Sequence, residues 1–362
     1  MYDVILQWGL VGPALLIVVG MAILIGGGEV LLKGASRLAV AARIPPVIVG
    51  LTIVAFATSS PELAITLSAT LKGNAEIAIG NIVGSNICNI ALVLGIAAVL
   101  SPVAVCSTLI RREIPLMVAV SFLAYILAVL CSGMPLSSLF SGQFEGMFLP
   151  WAGALMFGIL LVYIGWTIYE VRRHRAANEA FIQEIEAEIL PDAENPDAKI
   201  GGWKNIGINL CLIAVGLALL IFSADMLVQG SVQVARMMGV SELVIGLTIL
   251  AIGTSLPELM ITVMAAIKGK SDIAIGNIVG SNIFNILGVW GISALFSGAT
   301  VAGGLVVSAR ALYFDMPVML LVAVFCIVIC FTGRRITRGE GIFLLLCYAA
   351  YLVALCMLDG GQ

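Results

Sequence analysis

The chain has 362 residues, 61% of them hydrophobic and only 11% charged, with a formal net charge of −3. Soluble domains carry about a quarter charged residues, so this composition excludes a soluble globular protein. The small net charge and the lack of a basic stripe exclude a nucleic-acid binder. Apolar runs of about 20 residues recur, each long enough for a hydrocarbon core about 30 Å thick. Lipid offers no hydrogen-bond partners, so such spans must be helices; the alternating strands of a barrel are not seen.

Ten spans are predicted in chain order, near 10–33, 46–71, 76–100, 104–131, 147–171, 205–235, 243–267, 273–297, 304–331 and 340–358. The first lacks a basic start and runs too long for a cleavable leader. The eight cysteines are scattered through the spans, with no CxxC pair or metal-ligand spacing. Residues 172–204 break the pattern. Arg172, Arg173 and Arg175 are followed by Glu179, Glu184, Glu186 and Glu188, which cannot sit in lipid. This is a solvated connector. Its early part is predicted as a short amphipathic helix carrying Phe181, Ile182, Ile185 and Ile189, stopped by Pro191 and Pro196. The only histidine, His174, reads as a surface residue there. The domains are therefore 1–171, a first five-helix unit; 172–204, the linker; and 205–362, a second five-helix unit. With the N-terminus outside, fifteen of the eighteen Lys and Arg residues fall in inside loops, as cytoplasmic loops require. Both termini are then outside and the linker is cytoplasmic, in a plasma membrane (the inner membrane of a prokaryote). The lipid bilayer is the expected partner, and the chain is expected to be a monomer.

The strongest signal is internal. Residues 50–96 and 246–292 repeat one another without a gap, Gly50-Leu51-Thr52-Ile53 against Gly246-Leu247-Thr248-Ile249 and onward. About two-thirds of positions match, far beyond chance for two apolar helices. Glu258 lies 196 residues after Glu62, Ser281 lies 196 after Ser85, and the flanking Glu29 aligns on Asp225. An odd number of spans per unit sends the second copy in from the opposite side. The fold class is thus an all-α membrane protein of about ten helices in two inverted-topology repeats, an arrangement typical of secondary transporters.

Glu62 and Glu258 lie inside apolar spans, where a carboxylate costs about 2.5–3.5 kcal/mol. No basic residue in the same stretch pairs either one, and symmetry-equivalent placement argues against coincidence. Each follows a hydroxyl-rich segment and a proline: Thr58-Ser59-Ser60-Pro61 and Thr254-Ser255-Leu256-Pro257. Proline interrupts helical hydrogen bonding, which predicts freed carbonyls near Ala55 and Ala251. Carboxylate, hydroxyl and carbonyl are all oxygen donors, the set preferred by hard cations such as Na⁺ and Ca²⁺. The second repeated motif, Gly80-Asn81-Ile82-Val83-Gly84-Ser85-Asn86 and Gly276-Asn277-Ile278-Val279-Gly280-Ser281-Asn282, continues to Asn89 and Asn285. Its glycines permit close helix approach. Ser85 with Asn89, and Ser281 with Asn285, share a helix face and read as further ligands. Glu29, Glu113, Asp225 and Asp315 are expected to be snorkelling, capping or structural pairs. No HExxH or GxSxG motif and no catalytic histidine occurs, so an enzyme is not expected, and neither is a cofactor.

These two motif pairs resemble the sodium/calcium exchanger family, within the wider cation/calcium antiporter superfamily, over nearly the whole chain. The resemblance implies ten helices, broken motif helices and a cluster of cation sites where the repeats meet, with Ca²⁺ and Na⁺ as the transported ions. Glu62 and Glu258 look like the shared carboxylates. Thr58, Ser59, Thr254 and Ser255 resemble hydroxyl and carbonyl ligands, and Ser85 and Ser281 outer Na⁺ ligands. Asn89 and Asn285 resemble the central pair, and Ala55 and Ala251 backbone ligands. Ala57 stands where the family commonly has glycine. Asn285 stands where potassium-dependent relatives carry aspartate. The rival expectations are proton- or potassium-coupled antiport and, from a different class, a cation channel lined by acids.

Overall fold

The computed structural model describes residues 8–42, 44–133, 145–173, 203–238, 251–298 and 303–359. The predicted amphipathic helix of the linker, and His174, lie outside these residues. So does the first part of the predicted span 243–267.

The first half begins with α1 (Val11–Ala42), the bent pair α2 (Pro46–Thr58) and α3 (Ser60–Leu71), and α4 (Ala75–Leu100). It continues through β1 (Val103–Ala104), α5 (Leu109–Leu130), β2 (Gly146–Phe148) and α6 (Pro150–Arg173). The second half holds α7 (Trp203–Met237), α8 (Ala251–Thr254), α9 (Leu256–Ile267) and α10 (Ser271–Ser297). It ends with β3 (Leu305–Val307), α11 (Ala311–Gly333), β4 (Arg335–Ile336) and α12 (Arg338–Asp359). Among the described residues, eight helices are long and apolar enough to cross a membrane, and α2 with α3 make a ninth span bent by 42°. The predicted span 243–267 is described only from Ala251, as α8 and α9, which repeat α2 and α3.

The first span was expected to end near residue 33, but α1 runs to Ala42. Beyond Glu29 and Lys33 it keeps an apolar face, with Leu31, Leu32, Ala35, Leu38 and Ala39 all buried. At about 1.5 Å per residue, α1 and α7 each exceed the bilayer core.

α1 and α7 lie against one another head to tail. Gly20 meets Leu227, Gly27 meets Leu219, Gly34 meets Leu212, and Gly230 returns to Pro13 and Ile17. Contact partners descend on one helix as they rise on the other, so the pair is antiparallel, as inverted repeats demand. The stripe of small residues recurs every seventh position on both helices: Gly20, Gly27 and Gly34 against Gly216, Ser223 and Gly230. In lipid, helix association depends on such close van der Waals approach.

The halves are also interlocked. The fifth helix of each half covers the core helix of the other: α12 reaches α4 where Gly341 meets Gly95, and α6 reaches α10 where Gly153 meets Gly291. Gly291 lies 196 residues after Gly95, so the two crossings are the same contact made twice. Two short antiparallel ladders repeat the theme, β1 with β4 and β2 with β3, each joining one half to the other. Composition gave no sign of these strands, because two or three residues leave no period to read.

A Cβ at Gly216 would stand 2.6 Å from the Leu31 backbone nitrogen, whereas one at Gly26 meets nothing within 4 Å. Gly216→Ala should therefore lower stability by about 1–3 kcal/mol through overpacking, while Gly26→Ala is neutral or gains slightly from helix propensity. Thermal unfolding midpoints in detergent decide this; equal losses for both variants would remove the small-residue seam from the account.

Candidate functional site

The chain breaks twice at equivalent points. Ser59 (φ −82°, ψ 1°) separates α2 from α3, and Ser255 (φ −92°, ψ 9°) separates α8 from α9. Pro61 and Pro257 sit in the first turn of the new helix, where a missing N–H costs nothing. They start the second half-helix rather than kink a continuous one. The Ala55 carbonyl is correspondingly not free: it accepts from the Ser59 N–H at 2.9 Å and from Thr58 Oγ1 at 3.3 Å. A proline removes the bond to the carbonyl four residues back, which is Ala57 here. Ala251 opens α8.

Glu62 and Glu258 occupy the first turns of α3 and α9. A helix N-terminus stabilises negative charge through its dipole, so each half-helix supports an ionised carboxylate. Glu62 is 1% exposed and Glu258 0%. Among the described residues no hydrogen bond reaches any of their four carboxylate oxygens. The two are close enough for their charges to interact, and the Thr58 hydroxyl stands beside Glu258. No Lys or Arg is buried among the described residues.

Other predicted donors gather in the same interior. Ser59, Ser255, Asn89 and Asn285 are buried, and their side-chain polar atoms have no partner among the described residues. Asn89 and Asn285 fall within π-helical turns, Cys88–Val93 and Asn285–Trp290. Such turns insert one residue into the helix and are frequent at functional sites. Thr58 Oγ1 bonds Asn277 Oδ1 at 3.2 Å and contacts Ser281 Oγ at 3.3 Å, bringing α2 onto α10. Among the described residues no three His, Cys, Asp or Glu side chains cluster as a metal centre. The buried polar set there consists of two carboxyl groups together with hydroxyls and amides.

Sequence reading missed the groups that hold the motif helices together. Asn81 Nδ2 donates to Thr66 Oγ1 at 2.9 Å, tying α4 to α3, and Asn277 Nδ2 donates to Thr262 Oγ1 at 3.1 Å, tying α10 to α9. Both residues of each bond keep the 196-residue offset. That shared register was the available signal. The flanking acids behave as structural pairs where they are bonded. Buried Glu113 accepts from Tyr163 Oη at 2.8 Å and pairs with Arg112 at 3.2 Å, and Arg112 also pairs with Glu170. Asp315 accepts from Tyr351 Oη at 3.0 Å.

The halves differ around this common core. On one side α1 closes on α9: Met260 and Met264 lie against Gly28, and Ile261 is 0% exposed. On the other, the space between α7 and α3 is a cavity of about 790 Å³. Pro61 and Ile65 form one wall, and Ile221, Ala224, Asp225 and Val228 the other; Ile65, the repeat counterpart of Ile261, is 40% exposed. The cavity reaches Asn81, Ser85 and Thr254, whose counterparts Asn277, Ser281 and Thr58 form the bonded cluster described above.

The tie between motif helices generates a prediction. Asn277→Ala leaves Thr262 buried and unpaired, at a cost of about 1–3 kcal/mol. It should lower the unfolding midpoint more than Asn81→Ala, which sits beside the cavity where water can substitute. The reverse order in detergent melts would contradict this reading.

The sodium/calcium exchanger protein family model matches the chain at residues 12–169 and again at 208–357, once in each half. CaxA of Alkalimonas amylolytica is 38% identical over 338 residues, 92% of this chain and 96% of its own. The sodium/calcium exchanger MaX1 of Methanosarcina acetivorans is 32% identical over 352 residues, 94% of this chain and 97% of its own. A solved structure of the sodium-calcium exchanger NCX_Mj, soaked with Na⁺ and Sr²⁺, superposes with a TM-score of 0.72 at 25% identity, covering 94% of this chain and 97% of that one.

Proposed function

The chain belongs to the sodium/calcium exchanger family, and from that premise we propose that it exchanges Na⁺ for Ca²⁺ across the membrane by alternating access to one site built on Glu62 and Glu258. The observation that carries the proposal is the pair of buried carboxylates at repeat-equivalent positions, with no hydrogen bond to their oxygens and no buried Lys or Arg among the described residues. Such charges are stable in a low-dielectric interior only when a cation or a proton joins them, and the oxygen-rich surround favours a metal cation.

Charge counting gives the coupling. One Ca²⁺ neutralises the two carboxylates; Na⁺ ions neutralise them in turn; an empty site leaves two buried negative charges. Loaded states therefore cross more readily than the empty one, and flux in one direction requires flux in the other. If three Na⁺ replace one Ca²⁺, as the family resemblance implies, one net charge moves per cycle, worth about 2.3 kcal/mol per 100 mV. Thr58, Ser59, Thr254, Ser255, Ser85, Ser281, Asn89 and Asn285 supply neutral oxygens around the carboxylates. The Ala55 carbonyl would reach a cation by giving up its 3.3 Å contact with Thr58. Ala251 is its counterpart.

Alternation follows from the difference between the halves. The cavity walls come from those parts of α3, α4, α7, α11 and α12 that the distribution of basic residues places toward the outside. The closed seam between α1 and α9 then faces the cytoplasm, and the conformation is outward-open. Because the second half repeats the first in inverted orientation, closing α7 on α3 while α1 leaves α9 would present the same site to the other face.

The decisive experiment is Ca²⁺ uptake into proteoliposomes under an imposed Na⁺ gradient. Glu62→Gln or Glu258→Gln should abolish exchange, a loss of at least about 100-fold, with the melting midpoint kept or raised, since a buried charge is removed. Exchange retained in a folded variant would remove that carboxylate from the site. Flux through the wild type with no counter-ion on the far side would instead favour a channel.

The uptake should also need no K⁺. Asn89 and Asn285 cannot ionise, so the site holds two fixed charges, and a K⁺ beside Ca²⁺ would leave it net positive. Removing K⁺ from both sides should not change the wild-type rate, and Asn285→Asp should introduce K⁺ or pH dependence. Loss of wild-type uptake in K⁺-free medium would overturn the count. Orientation has its own check: a cysteine replacing exposed Lys72 should react only with an external impermeant reagent, and one replacing Lys268 only with an internal one.

A further inference from the structure

At the closed seam Lys268 Nζ donates to Glu29 Oε1 at 2.8 Å, joining the turn after α9 to the middle of α1. Lys270 Nζ donates to Ser36 Oγ at 2.7 Å about two turns further along α1. Both members of the ion pair have counterparts 196 residues away: Asp225 on α7 for Glu29, and Lys72 after α3 for Lys268. In the register that relates the rest of the site, an acid on the first helix of one half thus corresponds to a partner lysine beyond the motif helix of the other, twice. Only one of the two pairs is formed. Among the described residues Asp225 and Lys72 make no ion pair. Asp225 lines the cavity that separates α7 from α3, and Lys72 is exposed beyond the end of α3.

We propose that Glu29–Lys268 and Asp225–Lys72 are alternating latches, one closed in each access state, and that the first is the stronger, so that the unloaded protein rests with the α7–α3 cavity open. The reading rests on the alternating-access function given above. The inequality is written in the sequence. At the first seam Met260 and Met264 fill the space over Gly28. At the second, the equivalent positions are Ala64, Ser68 and Ala224, with less surface to bury. The Lys270–Ser36 bond has no counterpart either, because the equivalent residues are Asn74 and Val232. An exposed ion pair contributes little to folding. The same small energy shifts a balance between two access states by a useful factor, because it acts on one state alone. A state with both seams open, which would leak ions, forgoes both links, whereas each access state keeps one.

Two double-cysteine variants test this in proteoliposomes, with the exposed Cys211 and Cys356 replaced by serine: Glu29→Cys with Lys268→Cys, and Asp225→Cys with Lys72→Cys. Each pair should form a disulfide, the first faster, and each disulfide should stop Na⁺-driven Ca²⁺ uptake until reduced. Separately, a cysteine replacing Ile261 beneath the first seam should react with a thiol reagent roughly two- to five-fold faster when Lys268→Ala is added. The charge swap Glu29→Lys with Lys268→Glu should restore the slow rate. If the Asp225–Lys72 pair never cross-links while wild-type vesicles exchange ions normally, or if the swap fails to restore protection, the latch is wrong and the transport reading stands. Absence of Na⁺-driven uptake by the wild type would instead sink the transport reading itself.

Discussion

The structure depends on two carboxyl groups that the protein buries without a hydrogen-bond or charge partner among the described residues. The contrast with Glu113 makes the point. All three carboxylates are at most 2% exposed, yet Glu113 has Tyr163 and Arg112 at hydrogen-bonding distance, while the oxygens of Glu62 and Glu258 have no such partner among the described residues. The chain pairs one buried acid in this way and leaves two others without such a partner, and the proposed cation site rests on that contrast. The half-helix N-termini, the amides at the π-helical turns and the hydroxyls before each proline lie in the same interior. In the proposed site they would stabilise the carboxylates through dipoles and add oxygen ligands without adding charge.

Holding such a site against its own repulsion requires a rigid surround. The interlocked halves provide it. Each fifth helix lies on the other half's core helix at a glycine-to-glycine crossing, and each short ladder joins residues from both halves. The amide ties of Asn81 and Asn277 fasten each motif helix to its neighbour. A displacement within one half would therefore be resisted by the other. The α1 and α7 pair is attached differently. Its main contact is its own antiparallel seam of small residues, and it lies against α9 on one side and borders a cavity on the other. The division between an interlocked core and a two-helix slab beside it follows from where small side chains permit close approach, since lipid supplies no hydrophobic drive to press helices together.

The sequence by itself determined the membrane class and the duplication with its inversion, and it singled out Glu62 and Glu258 as acids without a local partner. Each of these is carried by a signal that needs no third dimension: apolar run length, a constant 196-residue offset, an odd number of spans per copy, and acids in stretches without a basic residue. It also marked Asn89 and Asn285, although not the π-helical turns that carry them, because a one-residue insertion in a helix has no composition of its own. Tertiary structure decided the rest. The break falls only after the Ser59 N–H has closed the last turn of α2 onto the Ala55 carbonyl, so the carbonyl expected to be free is bonded. The exchange of fifth helices between halves is invisible to a repeat search, which finds what is alike and not what touches. Above all, two nearly identical sequences occupy different environments: Ile261 is sealed and Ile65 borders a cavity, Glu29 is paired with Lys268 and Asp225 is not paired with Lys72. Local sequence could not separate them, because the difference is the position of one packed slab relative to a symmetric core, and only the folded chain chooses a side.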